Sequence, residues 1–297
     1  MNLRLAGKHW SDFQAERLFA PLGMQTTRVI SESDLVPHRA AGYELDKNGN
    51  LVNQAWVAPT FNRCADGALY YSIRDLAAWE KALEARAFLK PQGFAAWWAP
   101  VRLANGTRYP YGFGWFLSEQ RGDAVIEHGG SWQGFRAAIT RYPEQRLAVM
   151  VLANSAIAPV EAMSHEIAGL VEPRLRLRSP TEPQTHSDPD LEKMLRDVLE
   201  AWSSSRAIPA MSKALAETAS GSAREADDRQ QTANRLQTVR SLHVLGIDRL
   251  SPQAIALLDD GSVRAVDALL ESDQGLFIYR FRLDAQGRVV SFSAVTP

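Results

Sequence analysis

The run with the clearest chemical potential is His128-Gly129-Gly130-Ser131, followed by Trp132, Gly134 and Phe135. Two adjacent glycines at a strand end remove side chains where something must approach the backbone closely. A histidine before them can donate a hydrogen bond, or hold positive charge beside a substrate oxyanion or carboxylate. The same residues also read as a Gly-Gly turn with a solvent-facing histidine, and the local pattern leaves both readings open. Spacing disfavours other chemistries. The six histidines (His9, His38, His128, His165, His186, His243) form no H-x-H pair, and no second histidine completes the H-E-x-x-H that His165-Glu166 begins. GxxxxGK[ST] and GxGxxG phosphate loops are both missing. Gly129 to Gln133 fails as a G-x-S-x-G nucleophile elbow, because Gln133 stands where glycine is required. A single cysteine, Cys64, excludes an intrachain disulfide framework and a Cys-cluster metal site. No metal and no cofactor are expected.

The elements that must position these residues follow from periodicity. Phe13, Arg17, Leu18 and Phe19 have helical spacing and stop at Pro21-Leu22-Gly23. Ser72 followed by Asp75 is an acidic capping box, and Leu76, Trp79 and Leu83 then form an apolar stripe, so Ser72 is expected as a helix N-cap. From Tyr111 the period becomes strand-like. Strands are expected at Tyr111–Leu117, Ala124–His128, Phe135–Tyr142 and Leu147–Asn154, the last apolar enough to be buried on both faces. Pro143-Glu144-Gln145-Arg146 supplies a hairpin turn between the last two. Val160, Met163, Ile167, Leu170 and Val171 mark one amphipathic helix.

Residues 173–190 hold Pro173, Pro180, Pro183 and Pro189 with few apolar side chains, which reads as an extended linker between domains. After it, Asp188-Pro189 caps a helix with Leu191, Leu195, Val198, Leu199 and Trp202 on one face, and helical sequence continues to about Arg240. Strands are expected at Leu242–Ile247, Ala254–Leu258, Arg264–Leu270, Leu276–Leu283 and Arg288–Val295. In the fourth, Phe277, Tyr279, Phe281 and Leu283 alternate with Arg280 and Arg282, the pattern of a half-exposed sheet. The expected architecture is α+β: residues 1–172 form an antiparallel sheet flanked by helices, and residues 191–297 a small helix-then-sheet domain.

Charge and length bound the partners. The 297 residues carry 33 Lys and Arg against 34 Asp and Glu, a net charge of -1, which rules out broad recruitment to nucleic acid or an anionic membrane. No stretch reaches the roughly 18 apolar residues of a membrane span, and the first ten residues lack a signal-type apolar core.

Six segments together resemble the serine β-lactamase-like family of class C β-lactamases, D-alanyl-D-alanine carboxypeptidases and related esterases. They are FAPLGMQTT (19–27), RAAGYELD (39–46), GALYYSIRDLAAW (67–79), YGFGW (111–115), HGGSWQGF (128–135) and the stretch YPEQRLAVMVLAN (142–154), in the family's order and spacing. The resemblance implies a β-lactamase/transpeptidase-like fold in which HGG takes the place of the K-T-G element, on an edge strand lining the cleft. It further implies that His128 orients substrate, that Gly129 and Gly130 permit its close approach, and that the Ser131 N–H is half of an oxyanion hole. The loose likeness of 191–297 is to small α+β modules appended to some serine hydrolases, and to cystatin-like or NTF2-like rolls.

One departure dominates. The family attacks with the serine of S-x-x-K. Three residues before the six lysines of this chain stand Leu5, Glu44, Ala78, Ala87, Asp190 and Ala210, so no S-x-x-K exists and no catalytic set is complete. The formal Y-x-S match, Tyr70-Tyr71-Ser72, falls in the helix-capping segment. The expectation is the C-terminal portion of a serine hydrolase, N-terminally incomplete and inactive alone. It would take a small-molecule acyl substrate (ester, amide, D-amino peptide or lactam) once completed by an N-terminal segment or another chain. The alternative is a non-catalytic binding protein derived from that fold. Relatives of this kind are often exported.

Overall fold

A computed structural model describes residues 7–30, 34–54, 67, 69–104, 106, 108–181, 188–218 and 223–295. Cys64, Pro183 and His186 lie outside them. Helix α1 (Trp10–Gln14) runs into a π-helical turn, Ala15–Phe19. Three short antiparallel pairs follow: β1 (Arg28–Val29) with β4 (Leu69–Tyr70), β2 (Tyr43–Leu45) with β3 (Leu51–Asn53), and β5 (Val101–Arg102) with β6 (Arg108–Tyr109).

The central sheet consists of β7 (Phe116–Gln120), β8 (Asp123–Trp132), β9 (Phe135–Tyr142) and β10 (Leu147–Ala153), antiparallel throughout in the order β10-β9-β8-β7. Alternation along β8 assigns its two faces. Ile126 packs on one face with Leu83 of α2 (Ile73–Glu84), Phe94 of α3 (Pro91–Trp97), Trp115 and Leu117. Val125 packs on the other with Tyr142, Val149, Leu175 and Ala168 of α4 (Val160–Val171). Each such fully buried Leu, Val or Phe contributes on the order of 1.5–3 kcal/mol.

Several expectations change. The strand expected at Tyr111–Leu117 begins only at Phe116. Tyr111 makes a single bridge to Phe116, because Gly112-Phe113-Gly114 turns the chain, with Gly114 at φ +82° and Gly112 pressed on the Trp97 carbonyl. Of β10 only Val149 is buried and Leu152 is exposed, and among the described residues β9 is its sole strand neighbour over Leu147–Ala153. Beyond Val160, the apolar stripe of α4 (Met163, Ile167, Leu170 and Val171) also faces outward. Val160, Ser164, Ala168 and Gly169 pack inward, whereas Leu170 is 83% and Val171 63% exposed. Ser72 is the N-cap of α2, its Oγ accepting from the Asp75 N–H at 3.3 Å. The hairpin at Pro143–Arg146 joins β9 and β10 with Tyr142 opposite Leu147.

The second sheet has the order β11-β12-β13-β14, again antiparallel: β11 (Val239–Arg249), β12 (Ser262–Ser272), β13 (Gly275–Asp284) and β14 (Val289–Val295). Helices α5 (Pro189–Ser203), α6 (Lys213–Thr218) and α7 (Ala223–Gln237) precede it. Leu195, Val198, Leu199 and Trp202 of α5 pack on Tyr279, Phe281 and Leu283. The strand expected at Ala254–Leu258 is instead helix α8 (Pro252–Leu258). Ser251 caps it by accepting from the Ala254 N–H at 3.0 Å, Pro252 occupies the first turn, and Asp259 ends it in the left-handed region at φ +47°. A Ser-Pro start favours a helix here over the strand its short apolar run suggests.

The alternation along β13 holds, yet its polar face is not in solvent. Arg280 donates to Asp267 at 2.7 Å and to the Glu119 carbonyl of β7 at 3.2 Å. Arg178 bonds both Asp248 (2.6 Å) and Asp267 (2.7 Å), and Arg121 lies 3.3 Å from Asp248. Three guanidinium groups thus face Glu119, Asp248 and Asp267 where the two sheets meet. Pro173–Leu175 form a 3-10 turn, Leu175 is buried, and Arg174 pairs with Asp123.

Candidate functional site

His128, Gly129, Gly130 and Ser131 all lie within β8, which extends beyond the expected strand end at His128. β8 is second in the sheet, but β7 accompanies it only as far as Glu127, opposite Phe116. Among the described residues, its one strand neighbour from His128 to Trp132 is β9. Two-residue loops flank β8: Arg121-Gly122 (φ +55° and +86°) and Gln133-Gly134 (φ +46° and +75°), joining the directly paired Gln120/Asp123 and Trp132/Phe135. Antiparallel alternation then turns the peptide groups of odd-numbered β8 residues towards β7 and those of even-numbered residues towards β9. Gly129 and Ser131 therefore present their N–H and C=O groups on the side where β7 has ended.

The two glycines serve different ends. A Cβ on Gly129 would lie 2.4 Å from Oε1 of Glu161 on α4, so this glycine makes room for the Glu161 side chain behind the sheet. A Cβ on Gly130 would meet no described atom within 4 Å. By alternation Gly130 shares its face with His128 and Ile126, and that face is open at Gly130. His128 is held by two rings: its Nε2 lies 3.2 Å from the Tyr111 hydroxyl, and Phe116 stacks on it with centroids 5.6 Å apart. The sequence pattern puts Tyr111 in a strand; only the fold brings it to His128.

Behind β8 lies a second polar group. His165 Nε2 is 2.9 Å from Glu127, whose other oxygen accepts from Ser118 at 2.7 Å. His165 Nδ1 faces Tyr142 at 2.9 Å and Gln120 at 2.5 Å. Burial alone would raise the Glu127 carboxyl, but the hydrogen bond and charge of His165, with Ser118, hold it below the ordinary glutamate value. Burial pushes the Tyr142 hydroxyl far up, so it stays a neutral donor. This network ties α4 to the sheet.

The segments that carry the family resemblance touch one another. Asp75 accepts from Thr26 N–H (2.9 Å), Thr26 Oγ1 (2.7 Å) and Thr27 Oγ1 (2.7 Å), pinning 19–27 to α2. Burial opposes the charge of Asp75, but these donors hold its carboxyl below the usual value. Ser72 Oγ also accepts from Thr26 at 3.0 Å, so the serine of the Y-x-S match is occupied as a cap. Tyr70 donates to Gln133 in the β8–β9 turn at 2.7 Å, and Arg39 donates to Tyr70 at 3.2 Å. Gly42 lies so close to that turn that a Cβ would fall 1.9 Å from the Gln133 carbonyl. Among the described residues no group of three or more His, Cys, Asp or Glu is placed to hold a metal ion. No described helix is long and apolar enough to cross a membrane.

An antiparallel sheet between helical layers is the framework of the β-lactamase/transpeptidase-like fold. The family model for Beta-lactamase matches residues 4–172, more than half of the sequence, and the chain belongs to that family. It is 29% identical over 163 residues to penicillin-binding protein 4* of Bacillus subtilis (strain 168), covering 51% of this chain and 36% of that protein. It is 28% identical over 151 residues to a D-aminopeptidase of Brucella ovis, covering 50% of this chain and 28% of the relative. The chain thus spans about a third of the length of the curated relatives it matches. The solved structure of an octameric penicillin-binding protein homologue from Pyrococcus abyssi superposes with a TM-score of 0.52 at 18% identity, covering 99% of this chain and 58% of that one. That likeness extends the shared fold across both sheets.

Proposed function

We propose that residues 1–172 are the portion of an acyl-serine hydrolase that supplies the substrate-orienting histidine and one oxyanion donor, with 191–297 as an accessory domain joined through 173–190. The observation that carries this reading is the Ser131 N–H on the half of β8 that β7 leaves free. Such a donor is aimed at charge that appears only when the acyl carbonyl becomes tetrahedral, and losing one typically raises the barrier by about 3–4 kcal/mol. His128 orients the acyl substrate, and the open face at Gly130 lets it lie close. The nucleophilic serine and its lysine come from elsewhere: the serine Oγ attacks the carbonyl, the leaving group departs with a proton, and water then releases the acid. Substrates are esters, amides, D-amino peptides or lactams.

The edge of β10 that no described strand covers and the outward apolar stripe of α4 support completion by a further segment or chain, which would pair with the one and cover the other. The Pyrococcus homologue is an octamer, and self-association is one route to the same end.

Two measurements test this. The isolated chain is expected to turn over a chromogenic ester or cephalosporin no faster than a His128→Ala control, and an acyl adduct on the chain itself overturns the assignment. Sequencing upstream of the Met1 codon is expected to reveal S-x-x-K and Y-x-N in frame. A stop codon there favours the non-catalytic binding protein.

A further inference from the structure

Among the described residues, the imidazole of His128 is gripped from one direction only. The Tyr111 hydroxyl lies 3.2 Å from Nε2, and Tyr111, Phe116 and His128 are in mutual ring contact, with centroid separations of 4.8, 5.6 and 6.1 Å. No described residue hydrogen-bonds Nδ1. A phenol O–H is a good donor and the unprotonated nitrogen of a neutral imidazole a good acceptor, and the bond made at one ring nitrogen decides which nitrogen keeps the proton.

Tyr111 is itself held. Val101 N–H donates to its carbonyl at 3.0 Å, and Leu117 N–H to the carbonyl of Pro110 at 2.9 Å. Arg108, three residues before it on β6, forms an ion pair with Asp259 at the end of α8. Leu257 of α8 also packs against the cluster containing Ile126, two residues before His128 on the same face of β8. The second sheet's helix thus reaches both the strand that bears His128 and the segment that bears its tyrosine.

Resting on the hydrolase reading above, we propose that Tyr111 is a positioning residue which donates to His128 Nε2, so that Nδ1–H is the donor offered to substrate, and that Asp259 holds Tyr111 in place through Arg108. The residues after 190 then act on the cleft, by fixing the tautomer and aim of one imidazole.

The experiment is long-range 1H–15N correlation on histidine-labelled chain at a pH where the ring is neutral, which reads the tautomer of His128 without any turnover. In the wild type the Nδ1–H form is expected to dominate. Tyr111→Phe is expected to shift His128 towards Nε2–H while the signals of the other histidines and the thermal midpoint stay in place. Phe116→Leu, which removes stacking and keeps the hydroxyl, is expected to retain the wild-type tautomer, and it serves as the control should Tyr111→Phe perturb folding. Asp259→Asn is expected to shift the ratio in the same direction by a smaller amount. A wild-type Nε2–H ring, or an unchanged ratio in Tyr111→Phe, overturns the role of Tyr111. A shift in Tyr111→Phe with none in Asp259→Asn overturns the role of Asp259. Failure of the hydrolase reading would show as an upstream stop codon or an adduct on this chain, and neither outcome alters the spectrum.

Discussion

Arg280 of β13 donates from Nη1 to the backbone carbonyl of Glu119 on β7, 3.2 Å away, and so joins the edge strand of the first sheet to a central strand of the second. The same guanidinium binds both oxygens of Asp267, at 2.7 and 3.1 Å, and its Nε lies 3.6 Å from the Glu119 carboxylate. Arg280, Asp267 and Glu119 are all nearly excluded from water. Removing one member of a buried ion group strands the others, typically at a cost of about 3–5 kcal/mol. Arg280→Met is therefore expected to lower the unfolding free energy by about that much in urea titration. Arg240→Met, which breaks an exposed pair with Asp273, is expected to change it by about 1 kcal/mol or less.

Acid should loosen the protein through two carboxylates. Burial disfavours the charge of Asp267, but Arg280 and Arg178 outweigh it and hold its carboxyl below the ordinary value. His165 and Ser118 do the same for Glu127. A carboxyl depressed in the folded state contributes stability above its unfolded pKa, about 3.9 for Asp and 4.3 for Glu, and that contribution is lost as pH falls through the folded value. The urea midpoint is expected to fall steeply below about pH 4. Glu119 runs the other way: burial raises its carboxyl, so its ionisation above the ordinary glutamate value opposes folding. Asp267→Asn should flatten the acid limb, and an unchanged limb would show that the junction does not carry it.

Glycine substitutions separate the two sides of the site. Gly130→Ala meets nothing within 4 Å and is expected to leave stability unchanged or raised by up to about 1 kcal/mol, through a less flexible unfolded chain. In a completed enzyme it is expected to slow acylation, because its methyl enters the open face. Gly42→Ala drives a methyl into the Gln133 carbonyl, a backbone atom that cannot step aside, and is expected to destabilise by about 2–3 kcal/mol. Thermal melts of both variants check the pair.

Leu170→Lys tests the outward face of α4. At 83% exposure this leucine contributes little to the core, so the unfolding free energy is expected to move by about 0.5 kcal/mol or less. Static light scattering is expected to show less self-association than the wild type. A loss of 2 kcal/mol or more, on the scale of a buried leucine, would mean that the stripe is covered.

What the sequence determined by itself is local and periodic. The caps at Ser72 and Asp188, the Tyr142–Leu147 hairpin, the alternation along β13 and the order of the family segments were legible because each rests on neighbours within a few residues. The same locality explains the errors. Ala254–Leu258 has a strand's short apolar run, but its Ser-Pro start makes it a helix. The stripe on α4 has a core helix's spacing but faces outward, because only the tertiary arrangement decides which face of a helix meets the sheet. Tertiary structure alone ended β7 at Phe116 and so left the Ser131 amide beyond its reach. It carried Tyr111 to His128, and it brought Glu119, Arg178 and Asp248 to Arg280 from distant parts of the chain. Sequence spacing encodes hydrogen bonds made within one turn or one hairpin. Contacts that reach beyond one turn or one hairpin depend on how the elements pack, and a single sequence does not carry that information in any local signal.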